Sequence, residues 1–438
     1  MTSIETPVAE NRLLRAVGVL GLAASIVNIT VGGGIFRLPS FVAAQLGSLA
    51  PVAYLVCAVA MGLIVLCFAE AGSRVALTGG PYAYVEVAFG PFAGFLTGVL
   101  LWVVGTFAFS AVATVFADTV GALVPALAGK GGRAAVLAAA LAIGAVVNVR
   151  GVRQGTGMNV AFTVAKLLPL LLLLAAGAFA AKAGRAPAAA TAVDVGQVAR
   201  TSVLLIFAFA GIETALVPSG EVRDVARTIP RAIALAMVAV TLLYLGLHFV
   251  AQGLLGDALA TSETPLADAA AVALGPWGRT VILVGAAVSM FGYVGGMTLA
   301  VPRALFALAR DGFLPRPLAA VHARWQTPHV AIAVQAAIVL ALAVTSGFAK
   351  LAILANLSTL LLYAGCCVAA WELRRRDVRA GGIPFRVPAA GVVPFLALAA
   401  IAYILTSVTA REWLVVAAVL AAAAILYVVT MAARRARS

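Results

Sequence analysis

The sequence predicts an all-α polytopic membrane protein with twelve transmembrane helices, of which the first and the sixth are broken. Three observations predict this class: 63% hydrophobic against 11% charged residues, apolar runs long enough to cross a bilayer, and glycine- or proline-containing interruptions in two of those runs. Soluble domains have roughly 45–50% apolar and about 25% charged residues. A helix spans the bilayer with about 20 apolar residues, and the alternation typical of a membrane β-barrel is absent.

The predicted spans follow one another with short connections and no inserted soluble domain. Residues 1–16 are polar, and the apolar segment after them is too long for the apolar region of a signal peptide, so we expect the first span to be retained. The spans are predicted at residues 17–43, 50–72, 93–121, 133–150, 157–181, 199–220, 229–253, 277–308, 328–347, 350–373, 389–408 and 412–432.

The net charge of +14 is explained by topology. Twenty Lys and Arg residues lie on the side of the predicted N-terminus and nine on the opposite side. This bias predicts a cell membrane protein with both termini in the cytoplasm, and it requires no nucleic-acid partner.

All four cysteines lie in apolar spans, so no disulfide framework is expected. Three scattered histidines argue against a metal site, and no cofactor is expected.

Three consecutive glycines interrupt the first span, in the stretch NITVGGGIFRLPS (28–40). Non-helical backbone at membrane depth persists where it lines a cavity in the protein. Close helix packing through small residues is the alternative, but it needs about one small residue per turn. Unwinding here frees the amides of Gly33, Gly34 and Ile35 at the positive end of the following half-helix, where a carboxylate fits.

The sixth span is interrupted in a similar way, in IFAFAGIETALVPSGE (206–221). Paired interruptions in two halves of a chain indicate an inverted repeat with a substrate site at the membrane midplane. Freed carbonyl groups near Thr30, Phe207 and Ala210 would accept hydrogen bonds from an ammonium group. A carboxylate and an ammonium group a few ångströms apart describe an α-amino acid.

Four motifs, in order along nearly the whole chain, resemble those of the amino acid–polyamine–organocation transporters. They are VGGGIFRLP (31–39), GGPYAYVEVAFGPFAGFLTG (79–98), FAFAGIETALVPSGEVRDVARTIPRAI (207–233) and PRALFALARDGFLPRPLAAVHARWQTPHVAI (302–332). The sequence is similar to the cationic and L-type amino acid transporter branches.

This resemblance implies a five-plus-five inverted repeat like that of the sodium-coupled leucine transporter. Residues 17–185 and 199–376 would be the repeats and 389–432 two accessory helices, between cytoplasmic tails at 1–16 and 433–438. It also implies that backbone amides of Gly33 and Gly34 bind the substrate carboxylate, and that Phe207 is an aromatic gate. The substrate-binding residues expected on these grounds are Thr30, Gly32, Gly33, Gly34, Ile35, Phe207, Ala210 and Gly211.

Two ionisable residues lie at membrane depth. Lys166, in AFTVAKLLPLLLLL, is about nine residues into its span and roughly 14 Å deep, which is too deep for easy snorkelling. Such a residue is a functional hypothesis by default, with a structural pair as the alternative. In the resembling branches a lysine here takes the place of sodium and ties span 5 to span 1, so we expect sodium independence. Glu213 is expected to bind unwound backbone, although either residue could carry a proton.

Five residues are candidates for a side-chain pocket by depth alone: Trp102, Thr106, Ser289, Tyr293 and Ser358. Because Glu213 is the one acid evident near this pocket, a neutral substrate is favoured over a cationic one. Glu70, at a predicted cytoplasmic helix end, is open to a gating role or an ordinary surface ion pair, and the surface pair is favoured.

The sequence therefore predicts a secondary active transporter of an amino acid that works by alternating access, through proton coupling or exchange. A polyamine, amine or cationic amino acid carrier of the same fold is the alternative, and a nutrient sensor or channel is less favoured. The sequence lacks HExxH and nucleophile-elbow motifs, so an enzyme is not expected. Some resembling transporters bind a glycoprotein through a loop cysteine; GALVPALAGKGGR (121–133) has none, so no disulfide-linked heavy chain is expected.

Overall fold

The chain folds into packed helices that are separated by short turns. The computed structural model describes residues 18–75, 80–150, 156–180, 195–211, 222–379, 383–387, 389 and 391–435, and these contain no β-strand. The α-helices in chain order are α1 (Val19–Thr30), α2 (Leu38–Leu46), α3 (Ala50–Arg74), α4 (Pro81–Phe89), α5 (Pro91–Leu123), α6 (Lys130–Val149), α7 (Thr156–Ala180), α8 (Val195–Phe209), α9 (Val225–Leu255), α10 (Pro265–Leu274), α11 (Pro276–Ala300), α12 (Pro302–Arg310), α13 (His329–Thr345), α14 (Phe348–Arg375), α15 (Val392–Leu405) and α16 (Ala410–Arg435). Short 3-10 helices lie at Gly33–Phe36, Gly47–Leu49, Pro125–Leu127, Gly256–Thr261 and Arg316–Ala319.

Several of these helices can cross a membrane. In the described part of the chain, seven helical stretches are long and apolar enough to do so: Leu38–Arg74, Pro91–Leu123, Lys130–Val149, Arg227–Thr261, Pro276–Arg310, Phe348–Arg375 and Ala410–Arg434. The other predicted spans overlap shorter apolar helices, such as α1, α8, α13 and α15. The predicted class, an all-helical multi-pass membrane protein, is confirmed, whereas the total of twelve spans and the five-plus-five repeat stay predictions.

Two long helices form the centre of the bundle. In α5 and α14, 72% and 78% of the most apolar window is buried inside the protein, against 11% in α16. Helix α5 packs along α14 and α11, and α1 packs along α9. Because α16 leaves most of its apolar surface uncovered, it lies at the edge of the bundle, where lipid covers apolar side chains. Helices α5, α8 and α11 contact the Gly33–Phe36 turn in the interrupted part of the first predicted span.

The α3 end near Arg74 is held by a buried ion network, which corrects the expectation of a surface pair at Glu70. The Glu70 side chain is 3% exposed and accepts hydrogen bonds from Arg74 at 2.8 Å and from Arg374 of α14 at 3.3 Å. It also accepts one from the Val387 amide at 3.1 Å, and Arg74 donates to the Val378 carbonyl at 3.2 Å. This network joins α3, α14 and the segment after α14.

Replacing Glu70 with alanine should strongly destabilise the protein. The change leaves the Arg74 guanidinium, which is 1% exposed, with Asp377 at 4.0 Å as its remaining charged partner, and breaking a buried pair costs about 3–5 kcal/mol. The measurement is the apparent melting temperature of purified protein in detergent. Asp311→Asn is the matched control, because it removes an exposed pair with Arg310 that is worth about 0–1 kcal/mol. Equal melting temperatures for the two variants would contradict this interpretation.

Candidate functional site

The first predicted span is interrupted at its glycine stretch, between Thr30 and Gly33. Helix α1 ends at Thr30, Val31 and Gly32 are not helical, and a 3-10 helix over Gly33–Phe36 leads into α2. Gly32 is extended, with φ −100° and ψ −158°. The first amides of a helix have no acceptor within the helix, so the amides at the start of Gly33–Phe36 are available for a ligand or another part of the protein.

Two of the three glycines have close neighbours. A Cβ at Gly34 would lie 2.9 Å from Cδ1 of Phe207, and one at Gly33 would lie 3.0 Å from Cγ1 of Val112. At Gly32 the nearest atom would be 3.8 Å away, which is ordinary van der Waals contact. The backbone at Gly33 and Gly34 therefore lies so close to α5 and α8 that an added side chain would have to displace Val112 or Phe207.

The second interruption lies beside the first. Helix α8 ends at Phe209, and Ala210 and Gly211 are not helical. Gly211 has φ +130°, a conformation that strongly favours glycine. A Cβ there would lie 3.2 Å from the Thr30 amide nitrogen, so the two interruptions are in direct contact. Glu213 lies outside the described residues, and its predicted role stays a prediction.

Tyr244 of α9 connects the two interruptions. Its hydroxyl oxygen lies 2.8 Å from the Ala208 carbonyl oxygen in α8 and 3.1 Å from the Thr30 carbonyl oxygen in α1. The Thr30 carbonyl also accepts a hydrogen bond from the Gly32 amide at 2.7 Å. This carbonyl, which the sequence predicts to bind a substrate amino group, thus has two partners within the protein.

Lys166 of α7 reaches the same region. Its Nζ atom donates to the Asn28 carbonyl oxygen of α1 at 2.6 Å, and the residue is 8% exposed. The contact attaches α7 to the last turn of α1, two residues before the helix ends. An ammonium group at this position puts a positive charge beside the interrupted backbone.

A small cavity of about 100 Å³ lies at the interruptions. Drug-sized ligand pockets are about 300–1,000 Å³, so this volume suits a small molecule. Its lining has no Asp, Glu, Lys or Arg among the residues that the structure describes. The cavity is lined by Ile29, Thr30, Gly32, Gly33, Gly34, Leu101, Val104, Gly105, Ala108, Val112, Phe207, Ala210, Gly211, Tyr293, Met297, Ala355, Asn356 and Thr359.

Eight of the residues named from the sequence line this cavity: Thr30, Gly32, Gly33, Gly34, Phe207, Ala210, Gly211 and Tyr293. Ile35 is buried, with 1% of its surface exposed, but is not part of the lining. Four pocket candidates chosen by depth face elsewhere. Trp102 and Thr106 both bind Gln335 of α13, Ser358 donates to the Leu354 carbonyl, and Ser289 is buried away from the cavity.

Two polar residues of α14, Asn356 and Thr359, line the cavity but are not among the residues predicted from the sequence. The predicted candidate Ser358 lies between them on the same helix and is not part of the lining. A buried amide within an apolar span was the available signal, because polar groups there need a partner. Asn356 donates to the Val203 and Leu204 carbonyl oxygens of α8 at 2.6 and 3.3 Å.

A row of aromatic side chains begins at Phe207 on one side of this cavity. The Phe207 ring packs edge-on against Phe348, with ring centroids 5.4 Å apart, and Phe348 lies 6.0 Å from the Phe41 ring. Beyond them, Arg37 donates to the Glu263 carbonyl oxygen and lies over the Phe41 ring. Arg37 also lines a second cavity of about 330 Å³. The Arg37 side chain therefore lies between the aromatic rings and this second cavity.

The chain belongs to the amino acid permease family, whose model matches residues 17–434. It is 27% identical to the serine/threonine exchanger SteT of Bacillus subtilis, over 91% of this chain and 92% of that protein. It is 33% identical to an uncharacterised transporter of Mycobacterium tuberculosis, over 85% and 89% of the two chains. It is 31% identical to the L-lysine transport protein of Corynebacterium glutamicum, over 71% and 64%. The family and these relatives are transporters, which supports a role other than that of an enzyme.

Replacing Gly34 with alanine should abolish transport, because the added methyl group would displace the Phe207 ring from the cavity wall. The measurement is substrate uptake into proteoliposomes at equal protein content. Gly62→Ala in α3 is the control, since no atom lies within 4 Å of a Cβ there, and it should retain uptake. Gly32→Ala should cause a smaller loss than Gly34→Ala, and the opposite order would contradict the packing argument.

Replacing Tyr244 with phenylalanine should slow transport several-fold while the protein remains folded. The variant keeps the aromatic ring but loses a hydroxyl whose one hydrogen is shared between two carbonyl oxygens, a loss worth about 1 kcal/mol. Initial uptake rates and the apparent melting temperature should be measured together. A fall in melting temperature with unchanged uptake would show that Tyr244 only stabilises the bundle.

Proposed function

We propose that this protein is a sodium-independent secondary transporter of neutral amino acids that works by alternating access. The observation that carries the proposal is the contact between two interrupted helices at a small cavity whose described lining has no charged side chain. Interrupted helices that meet at a midplane cavity are the arrangement by which transporters bind substrates. The transporter would be a multi-pass protein of the cell membrane with both termini in the cytoplasm.

The substrate carboxylate would bind to the amides of Gly33, Gly34 and Ile35, at the start of the second half of the first span. The ammonium group would bind to carbonyl oxygens of Phe207 and Ala210. The Thr30 carbonyl is a weaker candidate than the sequence suggests, because Gly32 and Tyr244 already bind it. These backbone contacts would bind every α-amino acid in the same way. The side chains that line the cavity would then select among amino acids.

The cavity walls favour a neutral side chain over a cationic one. A buried cationic group needs a carboxylate partner, and the described lining supplies none. The relative named as a serine/threonine exchanger supports neutral substrates and exchange as the mode of transport. The relative named as an L-lysine transport protein supports the alternative, a cationic amino acid carrier, for which Glu213 would supply the carboxylate.

The ammonium group of Lys166 would replace a bound sodium ion. This group lies 2.6 Å from the Asn28 carbonyl oxygen, where it supplies a positive charge next to the interruption. A transporter with this charge built in does not need sodium to hold α1 against α7. Exchange of one amino acid for another, or proton transfer through Lys166 or Glu213, would then drive transport. No disulfide-linked partner chain is proposed.

The test is uptake of labelled amino acids and putrescine by the purified protein in liposomes. Each would be measured with and without sodium, an inward proton gradient and internal amino acid. Saturable uptake of neutral amino acids that does not change with sodium is the expected result. Uptake of putrescine or lysine in place of neutral amino acids would overturn the proposed substrate class, and a strict sodium requirement would overturn the role of Lys166.

Replacing Lys166 with methionine should reduce uptake at least about tenfold, because the variant keeps the long apolar stem and loses the donor to Asn28. Leu168→Met is the matched control, since Leu168 lies on the same helix and is 62% exposed. Size-exclusion profiles would establish that both variants fold. Normal uptake by Lys166→Met would refute the proposed function of the ammonium group.

A further inference from the structure

Two buried polar atoms at the central cavity lack hydrogen-bond partners among the described residues. They are Oδ1 of Asn356 and Oγ1 of Thr30. Both residues line the cavity, and they are 0% and 1% exposed, respectively. Buried polar groups are nearly always hydrogen-bonded, and a group left unpaired carries the full cost of its desolvation. Two such atoms at one cavity indicate that a ligand supplies the missing partners.

The orientation of the Asn356 amide is fixed by its other end. Its Nδ2 atom donates to the carbonyl oxygens of Val203 and Leu204 in α8. The opposite orientation would place Oδ1 against these two carbonyl oxygens, which cannot donate. The Oδ1 atom therefore remains as an acceptor for a hydrogen-bond donor in the cavity.

Thr30 adds a group of different character. A threonine hydroxyl can both donate and accept a hydrogen bond. Another hydroxyl lining the cavity, that of Thr359, already donates to the Ala355 carbonyl oxygen at 2.9 Å. The two unpaired atoms thus offer an acceptor, on Asn356, and a donor, on Thr30, which are the two partners that a ligand hydroxyl needs.

We infer that Asn356 and Thr30 form a side-chain subsite that selects small hydroxyl-bearing amino acids. The inference rests on the proposed function, in which backbone atoms of the two interruptions bind the carboxylate and ammonium groups. Asn356, on α14, is then left for the substrate side chain. The cavity of about 100 Å³ limits that side chain to a small one. An amino acid with an apolar side chain of the same size would leave both atoms unpaired.

The experiment compares two pairs of isosteric amino acids, in which a methyl group replaces the hydroxyl. The pairs are serine with 2-aminobutyrate and threonine with valine, each tested as a competitor of labelled serine in proteoliposomes. The wild-type protein should prefer each hydroxyl-bearing member by at least about tenfold, the effect of one hydrogen bond to a buried group. Equal competition within both pairs would overturn the subsite.

Variants then test whether Asn356 and Thr30 cause the preference for hydroxyl-bearing amino acids. Asn356→Leu and Thr30→Val should each bring the serine to 2-aminobutyrate ratio close to one, and Thr30→Ser should retain it. Ser358→Ala is the matched control, because Ser358 lies on the same helix outside the cavity lining and its hydroxyl already donates to the Leu354 carbonyl oxygen, so its ratio should equal that of the wild type. If Asn356→Leu weakens serine and 2-aminobutyrate equally, Asn356 binds the ammonium group and the inference is wrong.

The two proposals fail in different ways. Uptake of amino acids without any preference for a hydroxyl group overturns the subsite and leaves the proposed transport function intact. The lack of uptake for every amino acid tested overturns the transport function and the subsite with it. The isosteric comparison uses the wild-type protein, so it remains decisive if Asn356→Leu does not fold.

Discussion

The cost of unpaired backbone groups within a membrane is the constraint on which this structure depends. A helix that stops at membrane depth exposes amides and carbonyls that lipid cannot satisfy. Here three polar side chains bind carbonyl groups of the interrupted helices: Lys166 binds Asn28, Tyr244 binds Thr30 and Ala208, and Asn356 binds Val203 and Leu204. They come from α7, α9 and α14, so three surrounding helices hold the interruptions in place.

This support explains why the site can be both open to a ligand and stable. The carbonyl groups bound by these side chains are satisfied within the protein, whereas the first amides of the Gly33–Phe36 turn have no acceptor within their own helix. The glycines allow the backbone to lie against Phe207 and Val112. In the proposed binding mode the backbone would serve every α-amino acid in the same way, so selectivity would come from the side chains that complete the cavity, those of Thr30 and of α5, α11 and α14.

The buried network around Glu70 serves a different purpose at the end of α3. It joins α3, α14 and the segment after α14 through a carboxylate that accepts from two arginines and one amide. Such a network is stable only while every member is paired. Helix α14 therefore takes part in both the ion network and the cavity, where it presents Asn356 and Thr359. Any movement of α14 relative to α3 has to break charged hydrogen bonds at one end of the helix.

The sequence by itself determined the class of protein and the position of both interruptions. Composition and apolar run length decide whether a helix enters a membrane, and glycines mark where it cannot continue. The tertiary structure alone decided which face of each helix reaches the cavity. Ser358 and Asn356 lie at similar depth in an apolar helix with no polar face, so only the packing of α14 against α5 and α8 distinguishes them. The burial of Glu70 was likewise undetermined, because its partners Arg374 and Val387 are about 300 residues away along the chain.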